Sequence, residues 1–589
     1  MLNSVRLFTA ALFLLSSFLS SGQETIKLGQ IETAQTKSSR QRHEEKLNPA
    51  RDGWDTEAFA NEAQGKLNQL GELLCEPAML NLKALDKIIT PTTKIHTLFP
   101  ESDMPRVYHS NRLVVRRFAP DTKTDLRDSP LAEFQSLATR FESPRFKFKL
   151  FKVEPLGSTR TRTRQFLALS DQKHELNATW SIVWDNKSLT IESISLLECE
   201  WIERQNPETL MVDVTGSFLE EREDLTEHLG HGINHWQGRV EKILSMHYFG
   251  HNGLAVGDVN GDGLDDLYLC QAAAVPNKLF IQQKDGTTRE SAALSGVDFL
   301  NASRGCLLVD LDNDGDQDLA LTTPMSTLIL ANDGTGKFSL VQTVDVASGG
   351  YSLTSADYDN DGDLDLYVCV YYRKPGDASA LAYPIPYHDA NNGGRNVLLR
   401  NDNMKFVDAT KDAGLMIENE RFSFAASWED VDADGDVDVY VANDYGRNNL
   451  YRNQLSETGK ATFQSDAASA GIEDTSFGMS VCWGDADGDG FIDLYTGNMF
   501  SGAGNRIAFQ DRFQQHAPGA IKAKLQRTAR GNSLFLNQRN GTFSDVTMIA
   551  GARQGRWAWG SIFADLNNDG LEDLAVANGF VTGKREDDL

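Results

Sequence analysis

A nine-residue acidic loop recurs six times in this 589-residue chain, each copy between two short apolar runs. The copies read DVNGDGLDD at 258–266, DLDNDGDQD at 310–318, DYDNDGDLD at 357–365, DVDADGDVD at 430–438, DADGDGFID at 485–493 and DLNNDGLED at 565–573. Positions 1, 5 and 9 are always Asp, position 3 is Asp or Asn, and position 6 is always Gly. Short carboxylates at alternating positions converge on one point only if the chain curls, and Gly at position 6 supplies the dihedrals a tight curl needs. Three or four carboxylates so gathered repel by several kcal/mol at an effective dielectric of about 20. A divalent cation turns that repulsion into attraction. An all-oxygen donor set suits Ca²⁺, a hard cation taking about six to eight oxygens, better than Mg²⁺, which keeps its waters and demands octahedral geometry.

The expected side-chain ligands are Asp258, Asn260, Asp262 and Asp266 in loop one, and Asp310, Asp312, Asp314 and Asp318 in loop two. Asp357, Asp359, Asp361 and Asp365 follow in loop three, and Asp430, Asp432, Asp434 and Asp438 in loop four. Loops five and six offer Asp485, Asp487, Asp489 and Asp493, then Asp565, Asn567, Asp569 and Asp573. Position 7 would lend a backbone carbonyl, which leaves its side chain free to vary: Leu264, Asp316, Asp363, Asp436, Phe491 and Leu571. The competing reading is a set of solvated Asp-rich turns without metal.

The flanks decide the surrounding structure. DLYLC, DLALT, DLYVC, DVYVA, DLYTG and DLAVA follow the loops, and LAVG, LLV, LTSA, SWE, CWG and IFA precede them. Such short β-branched and aromatic runs are strands, so the unit is strand, loop, strand, and a helix-flanked EF-hand is excluded. A second element lies between loops: Asn277-Lys-Leu-Phe, Asn396-Val-Leu-Leu-Arg-Asn, Asn449-Leu-Tyr-Arg-Asn and Asn532-Ser-Leu-Phe-Leu-Asn. Gly turns with a following aromatic (Gly334 to Phe338, Gly541 to Phe543) and the Asp408-Ala-Thr and Asp545-Val-Thr runs add further strands, giving about four per repeat.

The net charge of −27 disfavours nucleic acid and anionic membrane as partners and suits a chain that gathers cations. Residues 1–22 resemble a secretory signal, with Arg6, an apolar run from Leu7 to Leu19, and small Ser20 and Gly22 at the cleavage positions. This predicts an exported chain, extracellular or periplasmic, and no later apolar run is long enough to span a membrane. Residues 23–50 read as a polar, flexible leader. None of the six cysteines forms a CxxC pair, so a cysteine-based zinc site is not expected. Cys270 and Cys369 fall at the same place in two repeats and read as core filler, while Cys75 and Cys199 could pair.

Between 51 and 235 the pattern is that of an α+β domain. Ala63, Leu67, Leu70 and Leu74 form one helical stripe; Ser129 and Pro130 open a second helix carrying Leu131, Phe134, Leu137 and Phe141. Alternation at Phe146, Phe148 and Leu150, at Trp180, Ile182 and Trp184, and over about 189–201 predicts strands. The element order resembles NTF2-like or cystatin-like folds.

The loops and their intervening elements, from about 245 to 589, resemble the FG-GAP/VCBS repeat of integrin α-subunit propellers. Within that family they look closest to the secreted ASPIC/UnbV, or cartilage acidic protein-like, group, without its C-terminal domain. The resemblance implies a mainly β chain with a six- to seven-bladed, Ca²⁺-binding β-propeller over 240–589, and ligands at positions 1, 3, 5, 7 and 9. Strands from about 238–250 are expected to help close the ring. The expected function is binding or adhesion to extracellular protein or carbohydrate, with the repeat loops holding the scaffold and insertions on one rim making the contacts.

Two loop-to-loop intervals are long, which places extra residues near 371–394 and 500–530. Loops that interrupt a repeat are where recognition is expected. The first carries His388, Asp389, Asn391, Asn392 and Arg395, the second Arg506, Asp511, Arg512 and His516; they are the candidates if the chain is instead a hydrolase or lyase. A purely structural, calcium-loaded scaffold is the third reading. Trp428 and Trp483, each two residues before a first Asp, and the Trp557-Ala-Trp559 run read as packing.

Overall fold

A computed structural model describes residues 55–100, 104–118, 125–206, 211–219, 253–346, 350–372 and 384–579. The first of two compact units, Met1–Ala58, is described only at Asp55–Ala58, and the second is Phe59–Leu589. The expected signal and leader, and the run 238–250, lie outside the described residues. No helix among the described residues is long and apolar enough to cross a membrane.

The N-terminal part is a helix-backed, eight-stranded sheet. Helix α1 (Asp55–Cys75) buries Ala63, Leu67, Leu70 and Leu74 completely, so the stripe seen in sequence is its core face. The strands are β1 (Ile89–His96), β2 (Arg106–His109), β3 (Leu113–Phe118), β4 (Leu126–Arg127), β5 (Arg145–Pro155), β6 (Arg160–Ser170), β7 (His174–Asp185) and β8 (Thr190–Arg204). They run in the order β2-β3-β8-β7-β6-β5, with β1 parallel to the first half of β8 and paired to β4. Helix α2 (Pro130–Ala138) starts as its sequence predicts, Ser129 accepting from the Ala132 amide. Trp180, Ile182 and Trp184 are fully buried with the α1 stripe in one core. Gly71 lets α1 approach β5, since a Cβ there would lie 2.1 Å from the Phe146 ring.

From Leu254 onward the described residues form six antiparallel sheets in sequence order, each carrying one acidic loop, and a further two-stranded pair of Gly446–Arg447 with Thr475–Ser476. Sheet one is Leu254–Gly257, Asp266–Leu269, Lys278–Gln282 and Thr288–Glu290; sheet two is Cys306–Val309, Asp318–Thr322, Ser326–Asn332 and Phe338–Asp345. Sheet three is Gly350–Ala356, Asp365–Val370, Val397–Asn401 and Phe406–Asp408; sheet four is Phe422–Glu429, Asp438–Asp444, Asn449–Asn453 and Phe463–Ser465. Sheet five is Gly478–Gly484, Asp493–Asn498, Ser533–Asn537 and Phe543–Asp545, and sheet six is Ala558–Ala564 with Asp573–Asn578. Every acidic loop joins the first strand of its sheet to the second. First strands of consecutive sheets pack side by side. Among the described residues no strand pairing joins sheet six to sheet one, and Leu254, Val256 and Ile562 are more than half exposed at those two ends.

A repeated aromatic contact holds neighbouring sheets together. Trp428 of sheet four meets Tyr367 of sheet three edge-on at 6.0 Å; Trp483 of sheet five meets Tyr440 of sheet four at 6.0 Å; Phe563 of sheet six meets Tyr495 of sheet five at 6.5 Å. The tyrosines are fully buried, so each ring pair removes a large apolar area from water between sheets. Trp557 and Trp559 likewise pack against a buried group containing Tyr351, Tyr371 and Phe424. All six cysteines are free thiols, Cys75 and Cys199 included, and Cys270 and Cys369 are buried filler as their repeat position suggests.

Replacing Trp483 by Ala should lower the unfolding free energy by about 3 kcal/mol, and by Phe less than about 1.5 kcal/mol, because the ring's packing is the contribution lost. Urea unfolding of the two variants measures the difference.

Candidate metal loops and the insertions

The six loops share one hydrogen-bonded geometry. The Asp at position 1 accepts the amide of position 5 through Oδ1 and the amide of the position-6 Gly through Oδ2, as in Asp258 with Asp262 at 3.1 Å and Gly263 at 2.8 Å. The same pairs recur on Asp310, Asp357, Asp430, Asp485 and Asp565. Oδ1 of position 5 accepts the position-7 amide in each. Gly263, Gly315, Gly362, Gly435, Gly490 and Gly570 all have positive φ, which is why position 6 does not vary. Position 4 is left-handed too: Gly261, Asn313, Asn360, Ala433, Gly488 and Asn568. The sequence reading passed over that position, although its Gly and Asn content is the signature of such backbone.

Position 9 does more than close a ligand set. Asp266, Asp318, Asp365, Asp438 and Asp493 are at most 2% exposed. Each accepts the position-2 amide through Oδ2 and, through Oδ1, an amide at the end of the third strand, as in Asp365 with Tyr358 at 3.2 Å and Asn401 at 2.8 Å. The residue at that strand end then reaches the preceding sheet. Asn332, Asn401, Asn453 and Asn537 donate Nδ2 to the carbonyls of Val259, Leu311, Tyr358 and Val431, each at position 2 of the previous loop. Burial pushes the Asp365 and Asp438 carboxyls up to about 8, and those of Asp318 and Asp493 up to about 6.

The donor sets of four loops fit a hard cation. Asp310, Asp312 and Asp318 each offer a carboxylate oxygen within 4.8 Å of the others. So do Asp357, Asp359 and Asp361; Asp430, Asp432 and Asp434; and Asp485, Asp487 and Asp493. Within the loops, buried carboxylate oxygens without a hydrogen-bond partner among the described residues are Oδ1 of Asp316, Asp359 and Asp436. Loops one and six carry Asn at position 3. Asn260 accepts the Asp262 amide, and Asn567 turns its Nδ2 to Asp573. At position 7, Leu571 is exposed, and Phe491 lies under the Arg539 guanidinium at 4.8 Å. Two arginines reach loop carboxylates: Arg452 pairs with Asp432, and Arg539 with Asp489 at 2.6 Å.

The FG-GAP-like repeat family matches residues 258–321, 310–368, 430–496 and 525–576. The chain carries FG-GAP-like repeats. These matches contain all six loops and omit 369–429 and 497–524, so the first insertion and most of the second stand outside the FG-GAP-like pattern. Cartilage acidic protein 1 of Xenopus tropicalis is 29% identical over 168 residues, covering 27% of this chain and 25% of that protein. Its Homo sapiens counterpart is 32% identical over 130 residues, covering 20% and 19%. The chain thus spans about a quarter or less of the length of these curated relatives. An Agrocybe aegerita lectin described as recognising non-reducing terminal N-acetylglucosamine aligns over 77% of this chain and 92% of its own. Its identity is 13% and its TM-score 0.30, too distant to bear on the fold or the ligand.

The candidate polar residues of the two insertions are largely engaged in holding the FG-GAP-like sheets and the N-terminal sheet. Residues 373–383 lie outside the described residues. Asp389 binds Arg421 at 2.9 Å and Arg447 at 3.0 Å, with Lys524 of the second insertion at 3.9 Å. Burial alone would raise its pKa, but the two arginine hydrogen bonds hold it below the usual value. Asn391 accepts the Glu420 amide, Asn392 the Ile385 amide, and Arg395 pairs with Asp408. In the second insertion, helix α3 (Gly502–Ala508) places Arg506 on the Leu150 carbonyl of β5 at 2.8 Å. Phe500 lies 6.0 Å from Phe166, and Arg553 lies over Phe166 and Phe151. Part of this insertion is therefore a brace onto the N-terminal sheet, where sequence spacing suggested a recognition loop. Helix α4 (Gly519–Arg527) sets the half-buried Arg527 against the buried Asp474 at 2.5 Å. Arg512 bonds Gln510, and His516 bonds Gln515 on the surface. Among the described residues no hydrogen bond or ion pair joins His388, Asp511 and His516.

One buried pair escaped the sequence reading. Asp444, 7% exposed, accepts the Tyr371 hydroxyl at 2.5 Å, and burial pushes its carboxyl up to about 7. It sits at the loop-distal end of strand two in sheet four, a place where the other repeats carry no Asp.

Ala433 is the one position-4 residue that is neither Gly nor Asn. Ala433→Gly should raise the unfolding free energy by up to about 1 kcal/mol, since the left-handed backbone costs a Cβ-bearing residue about that much. Thermal or urea unfolding checks it.

Proposed function

We propose that this chain is an exported, calcium-loaded β-propeller of six or seven blades over 240–589, preceded by an α+β domain over 51–235. It acts as a binding module for extracellular protein or carbohydrate. The ligands proposed for Ca²⁺ are positions 1, 3, 5 and 9 by side chain and position 7 by carbonyl. Support for the metal comes from the convergent carboxylates of loops two to five and from the buried, unpartnered Oδ1 of Asp359 at position 3 of loop three. Support for export comes from the residue pattern of 1–22.

The observation that carries the binding reading is the division of labour between the two ends of each sheet. The loop end is committed to a repeated scaffold geometry. Insertion one connects strands two and three of sheet three at the opposite end, where the repeat imposes nothing. There Ile385 and Tyr387 are about half exposed, and Tyr387 is backed by Tyr445 at 5.1 Å and Phe477 at 6.0 Å. An aromatic ring held rigidly with one side open suits stacking on a sugar or insertion into a protein surface at low entropic cost.

Two tests follow. Ca²⁺ binds the fold and not the unfolded chain, so it should raise the thermal midpoint relative to Ca²⁺-free protein; an unchanged midpoint would rule out the metal. The shift should shrink between pH 8 and pH 5.5. Asp318 and Asp493, which belong to the convergent groups of loops two and five and whose carboxyls are pushed up to about 6, must lose protons to bind the ion. The Ca²⁺-free fold has the opposite trend: its raised carboxyls bind more protons folded than unfolded, so it loses stability as pH rises from about 4 through 8. For recognition, the double variant Ile385→Ser, Tyr387→Ser should lose at least tenfold in affinity for whatever glycan or matrix protein an array identifies, with its thermal midpoint in Ca²⁺ unchanged. Undiminished binding would place recognition elsewhere.

A further inference from the structure

We propose that sheet four carries a second cation site beside its repeat loop, built from Asp434, Asp436 and Glu457 and taking Ca²⁺. Glu457 is not part of the nine-residue loop. It belongs to the connection between strands three and four of the same sheet, which folds back over the loop. One carboxylate oxygen from each of the three residues lies within 4.8 Å of the others, a group separate from Asp430, Asp432 and Asp434 except for the shared Asp434. Asp434 is the one residue common to both groups.

Proximity of acids alone is common on surfaces. What singles this group out is Asp436, whose side chain points into it. Asp436 is 3% exposed and its Oδ1, shielded from water, has no hydrogen-bond partner among the described residues. Its Oδ2 accepts the Ser456 amide at 2.8 Å. An ionised carboxylate oxygen so placed keeps its desolvation cost unless a cation faces it. Ser456 adds a second mismatch. Its hydroxyl touches both Asp434 Oδ2 and Glu457 Oε2 but has one hydrogen to give, so one oxygen–oxygen contact lacks a proton. A cation bound by these oxygens removes that conflict.

Sheet five shows how the same place is filled when the cation is built in. There the connection between strands three and four supplies Arg539, which pairs with Asp489 at 2.6 Å and covers Phe491. Asp489 and Phe491 occupy the loop positions that Asp434 and Asp436 occupy in sheet four. The chain thus sets a guanidinium against positions 5 and 7 in one repeat and a carboxylate in the other. Arg452 does not substitute for it, since that guanidinium goes to Asp432, Asp466 and the Gly541 carbonyl. Three hard oxygen donors from one loop and one connection are the donor type Ca²⁺ prefers.

The choice of ion rests on the calcium reading of the repeat loops, and the test separates the two. Bound Ca²⁺ per full-length chain is counted by equilibrium dialysis, with folding checked by circular dichroism. Glu457→Gln should lose one equivalent, Asp430→Asn, which touches only the repeat loop, one equivalent, and the double variant two. An unchanged count in Glu457→Gln, or a double variant losing no more than Asp430→Asn, overturns the second site while leaving the loops as calcium sites. A wild-type chain that binds no Ca²⁺ overturns both. Glu457 is exposed, so its single variant decides the matter even if Asp430→Asn does not fold. A third arm, Glu457→Arg, copies sheet five; it should lose the same equivalent and raise the thermal midpoint of the Ca²⁺-free protein.

Discussion

The buried aspartate at position 9 is the contact on which the repeat array depends. One carboxyl group ties the second residue of its own loop to the end of the third strand, so loop curvature and strand register are set together. The strand-end asparagine passes the constraint on to the preceding loop through its amide. A carboxyl with no exposure is costly to bury, and here two backbone donors offset part of that cost. Loop, sheet and sheet-to-sheet contact are therefore one hydrogen-bonded system rather than three.

Aromatic packing supplies the apolar half of the same junctions. The ring two residues before each of the last three loops lies on a buried tyrosine of the preceding sheet. Polar clamps fix register and direction, and the rings provide buried area. Because both recur at fixed offsets from the loop, an insertion can be added at the far end of a sheet without disturbing either. Both insertions are placed there, one presenting Tyr387 and the other reaching the N-terminal sheet through Arg506 and Phe500.

Much of this was legible in the sequence. The loop spacing announced the strand–loop–strand unit, and the 4-3-4 spacing of Ala63, Leu67, Leu70 and Leu74 announced α1, because both are local patterns with a fixed period. Strands β1 to β4 gave no comparable signal: β1 contains Pro91, exposes much of its length and pairs with β8 a hundred residues away. Sequence spacing aligns Asn449 with Asn277, Asn396 and Asn532, which accept the amides of Gln271, Val370 and Asn498, whereas in sheet four it is Asn448 that accepts the Asn443 amide, an offset of one that only pairing register resolves.

By itself the sequence determined the repeat, the acidic residue types at its fixed positions and the place of each loop between two strands, since those follow from residue spacing and from the dihedrals that Gly alone adopts easily. Tertiary structure decided which acids belong to more than the loop. Asp at position 9 became a clamp because a third strand arrives beside it, Asp389 a counter-ion because Arg421 and Arg447 converge on it, and Glu457 a neighbour of Asp436 because its connection folds back. Each depends on segments far apart in the chain meeting at one point, and spacing along the chain does not encode such a meeting.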